Sequence, residues 1–567
     1  MVETRIAGRT ASPGYAAGRI YVLDESLRAD LKVHPDPEGM AVAAAMPDEL
    51  ELDPVQEASL LLQAIATAAD ETRSFIAALD AGVARNTDAI GILGFQVAFL
   101  EDEALAEPAL AAIADGASAM QAWSATIEQQ ISEYESAEDE TFRSRATDLE
   151  DIRNRVIECL QRGSSDVGEW LAGVPQGALL VSNDLPPSRF LAVLTRRPQA
   201  LLLLHGSPAS HVAMLARARG LPMIVRLDAA GGNVADWDGL EATVDANRAE
   251  VVIRPGEEAV ADHAASRRRD AAIDATAECL RLKSAHTADG VPIRVFINLS
   301  DLQELAAIDP ASCDGIGLAR TEFLFHLDAG LPDEDMQYRA YRRMVEWADG
   351  RPVTVRTLDA GGDKPIPGLT VEGESNPFLG VRGLRLSFAR PEVFRVQLRA
   401  LARAAVHGEI KVMVPMVTMA HELARVCQML DEELADLARD AVDAARPVVG
   451  MMVEVPAAAI TADEFEAGFF SIGSNDLAQY VTAVGRDVGA LADLASPTQP
   501  AMLRLIRHVV EVGNRRGIET SLCGDAASDP AEIAALLGAG LRILSVAPAQ
   551  LARVKLAIAG TRIAADA

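Results

Sequence analysis

The sequence predicts a multidomain α/β protein: an α/β domain with an inserted helical bundle, a linker helix, and a C-terminal (β/α)8 barrel of the TIM type. Three observations support this. The chain has 567 residues, which suits two to four domains. Apolar residues recur at helical spacing between about residues 35 and 160. From Ile293 onward, short apolar strands alternate with helical patterns, as in a barrel of repeated β/α units.

Composition limits the class of protein. Hydrophobic residues make up 49% of the chain and charged residues 24%, as in globular proteins that fold in water. No apolar run approaches the ~20 residues that span a bilayer, and the N-terminus lacks a secretory signal pattern. The five cysteines form no CxxC motif, so we expect reduced thiols and a cytoplasmic location. A net charge of −31 argues against nucleic acid or an anionic membrane as a partner.

The first domain is predicted in two segments. Ile6 to Val22 is rich in strand signals, which return at Gly177–Val181 and continue through Val251–Ile253. Between them the chain is rich in Ala, Leu, Glu and Asp, with helical periodicity. We therefore assign residues 1–34 and 161–255 to the α/β domain and residues 35–160 to the inserted helical bundle.

Residues 256–290 are predicted to form a linker helix, because Pro255-Gly256 ends the first domain and no Gly or Pro occurs from Glu257 to Asp289. The barrel then occupies residues 291–567. Its eight strand candidates are Ile293–Asn298, Gly315–Leu318, Val353–Arg356, Phe378–Val381, Ile410–Val414, Val448–Val453, Phe469–Ile472 and Thr520–Cys523.

One histidine stands out in the α/β domain. The apolar run Ala200–Leu204 leads into a short loop, and His211 then lies in the first turn of a predicted helix, directly after Ser210. Serine is a favoured N-cap residue, and the free N–H groups of a helix start suit an anionic group. A histidine at this place could carry a phosphoryl group on a ring nitrogen.

Polar residues cluster where the barrel strands end, which is where barrel enzymes carry their chemistry. Arg320, Arg356, Lys364 and Arg486 form a plausible clamp for a small, highly charged anion, since arginine binds phosphate and carboxylate through paired hydrogen bonds. Taken singly, each arginine is more typical of a surface or ion-pair residue. The recurrence at one face favours the clamp.

Three further residues at that face suggest catalysis. Glu454 and Asp476 end the sixth and seventh predicted strands, and with Asn475 nearby they make an oxygen site suited to Mg²⁺. The alternative is ion pairing with the neighbouring arginines. Cys523 ends the eighth predicted strand, where a thiol could exchange a proton with a substrate carbon. Cys159, Cys279 and Cys427 are expected to be inert.

The motifs carry a family resemblance. Gly317–Phe323, Arg356–Lys364, Asn376–Gly380, Ser471–Leu477 and Leu522–Gly524 resemble phosphoenolpyruvate-using enzymes. The predicted domain order is similar to that of the Enzyme I family of the bacterial phosphoenolpyruvate:sugar phosphotransferase system. The resemblance implies transfer of the phosphoryl group from phosphoenolpyruvate to His211 and then to a histidine of the phosphocarrier HPr, with release of pyruvate, as the first step of sugar uptake or its regulation.

The resemblance also implies roles for the residues. Arg320, Arg356, Lys364, Asn475, Asp476 and Arg486 would bind phosphoenolpyruvate. Glu454 and Asp476 would hold Mg²⁺, and Cys523 would protonate the enolate to pyruvate. The helical insertion would dock HPr, and the barrel would form a homodimer.

The chain departs from the family pattern before the histidine. The loop Gly206–Ser210 lacks the family's Arg and Thr, and Pro186 stands where the family has Thr. Gly485 and Asp525 replace Asp and Glu. Two alternatives are therefore kept: a paralogue that only senses phosphoenolpyruvate, and a relative of phosphoenolpyruvate synthase or pyruvate, phosphate dikinase. The latter needs a nucleotide-binding domain for which the predicted layout leaves no room.

Overall fold

The chain divides into two compact units, residues 1–268 and 269–567. The structure, a computed structural model, describes residues 3–23, 53–80, 94, 96–136, 149–157, 159–160, 171, 173–208, 210–228, 233–325, 330–362, 366, 368–371, 374, 376–485, 491, 494 and 496–563. Within these ranges no helix has the length and apolar character needed to cross a membrane.

An eight-stranded mixed sheet organises the first unit, in the order β1-β8-β7-β3-β4-β5-β6-β2. Strands β3 to β6 pair in parallel, and β4, β5 and β6 are buried along their whole length, as expected for parallel strands covered on both faces. The strands are β1 (Thr4–Ala7), β2 (Arg9–Ser12), β3 (Tyr15–Val22), β4 (Leu179–Ser182), β5 (Ala200–Leu203), β6 (Met223–Val225), β7 (Glu241–Asp245) and β8 (Glu250–Ile253).

Helices interrupt this sheet between β3 and β4. They are α1 (Pro54–Asp80), α2 (Glu103–Ala114) and α3 (Ala119–Ser136), followed by helical residues at 149–157. Their apolar faces form a separate core around Trp123, which is fully buried and donates its indole N–H to the Arg153 carbonyl at 3.3 Å. Two helices of the sheet domain follow, α4 (Pro187–Leu194) and α5 (His211–Arg219).

The linker helix, α6 (Glu257–Glu278), is shorter than the predicted range of 256–290. A tertiary contact explains why it stops. The buried ammonium of Lys555 donates to the backbone carbonyls of Arg281, Lys283 and Ser312, each at 2.7 Å, so these carbonyls have partners outside a helix. The chain then forms β9 (Ala285–His286), which pairs antiparallel with the first barrel strand.

The second unit is a closed barrel of eight parallel strands, because β10 pairs with both β11 and β17. Its strands are β10 (Pro292–Leu299), β11 (Ile316–Ala319), β12 (Val353–Arg356), β13 (Ile410–Val414), β14 (Val448–Val453), β15 (Phe469–Ile472), β16 (Glu519–Leu522) and β17 (Ile543–Val546). The helices are α7 (Glu334–Ala348), α8 (Leu384–Ala389), α9 (Pro391–Ala404), α10 (Ala420–Arg439), α11 (Pro456–Ile460), α12 (Ser474–Thr482), α13 (Pro500–Arg516), α14 (Ile533–Gly538) and α15 (Leu551–Gly560).

One predicted strand is wrong. Phe378–Val381 is a 3₁₀ turn over Pro377–Leu379 followed by a loop, and its carbonyls are bound by side chains: Tyr480 Oη donates to Phe378 O at 2.6 Å, and Arg385 donates to Leu379 O and Gly380 O. The missed strand is β17. Glu454, Asp476 and Cys523 consequently follow the fifth, sixth and seventh barrel strands, one earlier than predicted.

Candidate active site

The helix that begins at His211 is capped as predicted. Ser210 has extended backbone angles (φ −62°, ψ 156°), and its Oγ accepts a hydrogen bond from Ala213 N at 3.2 Å. At the other end Gly220 adopts φ +63°, a left-handed conformation that favours glycine and stops the helix. The first turn of the helix therefore begins with backbone N–H groups that have no partner within the helix.

Two arginines hold the loop before this helix. Arg226 follows β6 and donates from Nε to Gly206 O at 3.1 Å. Arg217, within α5, donates from Nη1 to Pro208 O at 2.8 Å and to Ala11 O at 2.6 Å. No arginine or lysine occurs at loop positions 205–208 and 210. The cations that bind the loop backbone are therefore Arg226 and Arg217, which belong to neighbouring parts of the fold.

At the carboxyl ends of the barrel strands, Arg356 is buried among carboxylates. It is 4% exposed, donates from Nη2 to Glu322 Oε1 at 2.7 Å, and lies 3.1 Å from Asp359 Oδ2 through Nη1. Its Nε–H is buried without a partner among the described residues. An unpartnered buried donor is costly, so this atom is suited to an oxygen of a bound anion.

Arg320 lies at the end of the adjacent strand, β11, and is half-buried. Its backbone N–H donates to Leu299 O at 3.0 Å, which fixes the backbone at the rim. Its guanidinium makes no hydrogen bond or ion pair with any residue that the structure describes. The side chain thus keeps its full set of donors for a ligand.

Arg382 is a site residue that the sequence prediction missed. It is 1% exposed, and its Nη2 donates to both oxygens of Asp359, at 3.2 and 3.0 Å, while Nη1 donates to Asp476 Oδ1 at 3.2 Å. Burial alone would lower the pKa of Arg382, but Asp359 and Asp476 outweigh it and raise that pKa. Its position directly after the Asn376–Gly380 motif was the available signal.

Glu454 and Asp476 are two buried carboxylates in this cluster. Glu454 is 1% exposed, and its Oε1 accepts from Met416 N at 2.7 Å, with Met416 held at φ +57°. Burial, and then repulsion by Asp476 and Asp359, raises the pKa of Glu454 to about 8. Hard oxygen donors that repel each other fit Mg²⁺, which takes few protein carboxylates and completes its shell with water and substrate oxygens.

Asn475 lies in the first turn of α12 and is bonded to Asp525, which lies after β16. The amide Nδ2 donates to Asp525 Oδ2 at 2.9 Å, and the amide Oδ1 accepts from Asp525 N at 3.0 Å. The oxygen of Asn475 is therefore already engaged. The second N–H of this amide remains available as a donor to a ligand.

Cys523 lies at the end of β16 and is 4% exposed. Burial and, less strongly, Glu454 raise the pKa of this thiol to about 11, so it is protonated at neutral pH. Sγ lies 3.6 Å from Ile472 O, and the Cys523 carbonyl accepts from Asn298 Nδ2 at 3.1 Å. The position of Cys523 is thus fixed by a contact with the backbone of β15 and by a hydrogen bond from a side chain of β10.

A buried polar network supports the rim from below. Thr321 Oγ1 donates to Arg356 O at 3.0 Å, and Gln397 Nε2 donates to Thr321 Oγ1 and to Tyr341 Oη, at 3.3 and 3.0 Å. Gln397 Oε1 accepts from Leu358 N at 3.0 Å. These residues fix the backbone on both sides of Arg356, and no sequence motif pointed to Gln397 or Tyr341.

Of the predicted site residues, Arg356 and Asp476 are joined through Asp359 and Arg382. Arg320, Asn475 and Cys523 lie at the ends of strands of the same barrel. His211 belongs to the other unit. Lys364, Arg486 and the imidazole of His211 lie outside what the structure describes.

Comparison with known proteins gives a consistent result over nearly the whole chain. Three family models match: "PEP-utilising enzyme, N-terminal" at residues 7–145, "PEP-utilising enzyme, mobile domain" at 174–249, and "PEP-utilising enzyme, PEP-binding domain" at 274–563.

Similar proteins called phosphoenolpyruvate-protein phosphotransferase occur in several organisms. One from Haloferax volcanii is 37% identical over 82% of this chain and 81% of its own length. One from Geobacillus stearothermophilus is 37% identical over 75% of this chain and 74% of its own. One from Staphylococcus carnosus is 34% identical over 82% of each.

Proposed function

Because the chain belongs to the family of phosphoenolpyruvate–protein phosphotransferases (EC 2.7.3.9), we propose that it transfers the phosphoryl group of phosphoenolpyruvate to its own His211 and then to a histidine of the carrier HPr. Pyruvate is released, and the transfer is the first step of phosphotransferase-system sugar uptake or its regulation. The sensor and dikinase alternatives are not favoured, since the relatives are named for phosphotransfer.

The barrel rim binds phosphoenolpyruvate in this proposal. Arg320, Arg356, Arg382 and Asn475 offer N–H donors to its phosphate and carboxylate, together with Lys364 and Arg486. The unpartnered Nε of buried Arg356 supports a bound oxyanion at this place. Glu454 and Asp476 would hold Mg²⁺, which offsets negative charge on the phosphate and carboxylate oxygens when bound.

Phosphoryl transfer breaks the bond between phosphorus and the enol oxygen and forms a bond from phosphorus to a ring nitrogen of His211. The electron pair left on the enol oxygen gives the enolate of pyruvate. Cys523 then donates its thiol proton to the methylene carbon, which yields pyruvate, and the thiolate recovers a proton from water. The observation that carries the proposal is this buried thiol, held protonated at the rim where Arg356 and Arg382 are buried.

The remaining parts of the proposal concern partners and place. Residues 35–160 dock HPr, and the barrel unit forms a homodimer, as the family resemblance implies. We place the enzyme in the cytoplasm, in agreement with five cysteines that form no disulfide in the structure. Sedimentation of the purified chain tests the dimer, and labelled HPr tests the docking.

The test of the function is acid-labile labelling by phosphoenolpyruvate carrying ³²P in its phosphate, with Mg²⁺ present. The wild type should be labelled, and added HPr should discharge the label. His211→Ala should bind phosphoenolpyruvate but remain unlabelled, while the matched change His205→Ala, in the same loop, should be labelled normally. Labelling of His211→Ala would refute the acceptor assignment, and binding without labelling in the wild type would favour the sensor alternative.

A further inference from the structure

Asn475 and Asp525 form a closed pair across two neighbouring barrel strands. Asn475 follows β15 and Asp525 follows β16, and the two are joined by the bonds Asn475 Nδ2 to Asp525 Oδ2, 2.9 Å, and Asp525 N to Asn475 Oδ1, 3.0 Å. The pairing determines which way the amide points. A backbone N–H can only donate and an ionised carboxylate can only accept, so the amide oxygen must face the backbone and the NH₂ the carboxylate.

The loop that carries Asp525 lies tightly against the first turn of α12. A Cβ added at Gly524 would lie 1.8 Å from Ser474 Oγ and 2.9 Å from Asn475 Oδ1, so glycine is required for this approach. On its other side Cys523 N donates to Ile472 O at 3.0 Å. The backbone of residues 523–525 is therefore positioned by α12 and β15, and Asp525 cannot shift without moving Cys523.

The pair leaves one hydrogen-bond donor of Asn475 available for a ligand. Its oxygen is occupied, and one hydrogen of Nδ2 is given to Asp525, so a single N–H remains. Without the Asp525 carboxylate the amide would keep only the backbone bond and could turn away about its last torsion, whose wells are broad. An amide with its oxygen toward the site would repel an anion.

We propose that Asp525 is a positioning residue that holds Asn475 with an N–H toward the anionic substrate; this rests on the proposed function. Asp525 does so through the acceptor oxygen of its side chain, not through its charge. A negative charge beside an anionic substrate is unfavourable in itself. The hydrogen bond from the Asn475 amide to the Asp525 carboxylate limits that cost. The role of the Asp525 side chain is thus to accept a hydrogen bond from Asn475 at a fixed position.

The test uses the full-length protein and the initial rate of ³²P labelling at varied phosphoenolpyruvate, which gives an apparent KM and a maximal rate. Asp525→Ala should raise the KM about tenfold, the loss expected for a misdirected hydrogen bond to a charged group, with a much smaller change in maximal rate. Asp525→Asn keeps an acceptor oxygen and should restore the KM to near the wild-type value. The control Asp529→Ala, an exposed acid on the same loop, should leave both parameters unchanged.

A double-variant cycle decides whether Asp525 acts through Asn475. In an Asn475→Ala background, adding Asp525→Ala should raise the KM no further, because the group to be positioned is gone. Additive effects, or Asp525→Asn as impaired as Asp525→Ala, would overturn the inference. These outcomes are distinct from failure of the proposed function, in which the wild type itself would not be labelled.

Discussion

Replacing Arg382 with alanine should destabilise the barrel unit more than any surface change. Arg382 is 1% exposed and makes three hydrogen bonds to Asp359, at 3.0 to 3.4 Å, and one to Asp476 at 3.2 Å. Asp359 is fully buried and Asp476 is 6% exposed, so neither carboxylate can be rehydrated once the cation is removed. Arg356, 3.1 Å from Asp359, would remain as a partner for that group.

The expected cost follows from this geometry. Removing one partner of a buried ion pair costs about 3–5 kcal/mol, because it leaves an uncompensated buried charge. The value should lie toward the lower end, since Arg356 still neutralises part of Asp359. Arg382→Lys should cost less than the alanine change, because an ammonium can reach one carboxylate but cannot bond both oxygens of Asp359 while reaching Asp476.

The assay is denaturant unfolding of the full chain, following the transition of the barrel unit, at pH 8 and at pH 5. Arg382 lowers the pKa of Glu454, which already lies above its unfolded value, so removing Arg382 raises that pKa further and the folded form loses more stability as pH rises. The defect should therefore be larger at pH 8. The exposed pair Arg439–Asp436 offers a control, and Arg439→Ala should cost less than about 0.5 kcal/mol. An Arg382→Ala defect below about 1 kcal/mol, or one independent of pH, would refute the reasoning.

Four further predictions test other parts of the molecule. Cys523→Ala should slow deuterium exchange into the methyl group of pyruvate at least about 100-fold without weakening phosphoenolpyruvate binding. Exchange at the wild-type rate would show that Cys523 takes no part in the proton transfer. Because the pKa of the thiol is about 11, pyruvate formation by the wild type should not fall between pH 7 and 9, while exchange, which needs the thiolate, should rise. Glu454→Gln should abolish labelling in the presence of Mg²⁺. Measured in chelator, it should raise Tm, and the gain should grow from pH 5 to pH 8, since the pKa of Glu454 rises from 4.5 to about 8 on folding; an equal Tm at pH 8 would contradict this. Ala441, at φ +56° after α10, should gain ~1 kcal/mol of stability on replacement by glycine, whereas Ala435→Gly inside the same helix should lose about as much, both measured by denaturant unfolding.

The barrel was predictable because its signal is periodic and local. Seven of its strands coincide with apolar runs identified from the sequence, and Glu454, Asp476 and Cys523 follow those runs directly. Phe378–Val381 has the composition of a strand, but the side chains of Tyr480 and Arg385 bind its carbonyls and hold it as a loop. Partners distant in sequence decided that conformation, and composition does not report them.

The site was predictable at strand ends and not beyond them. Ser210 and Gly220 cap their helix for reasons of local backbone chemistry, which the sequence carries. Arg382 becomes a site residue only because the loop after Gly380 brings it to Asp359 and Asp476. Gln397 is similar, since it reaches Thr321 from the interior of a helix that looks amphipathic and ordinary.

The contacts that close the barrel can form only after its last strand has been synthesised. β10 is completed only when β17, the last barrel strand in chain order, pairs with it, and Lys555 then binds carbonyls that lie more than 200 residues earlier in the chain. The first unit has all of its sheet partners by residue 253. During synthesis the first unit can therefore fold early, whereas the barrel stays open until β17 has been synthesised. A chain shortened by a few dozen residues at its C-terminus should therefore lose the folded barrel and keep the folded α/β domain that carries His211.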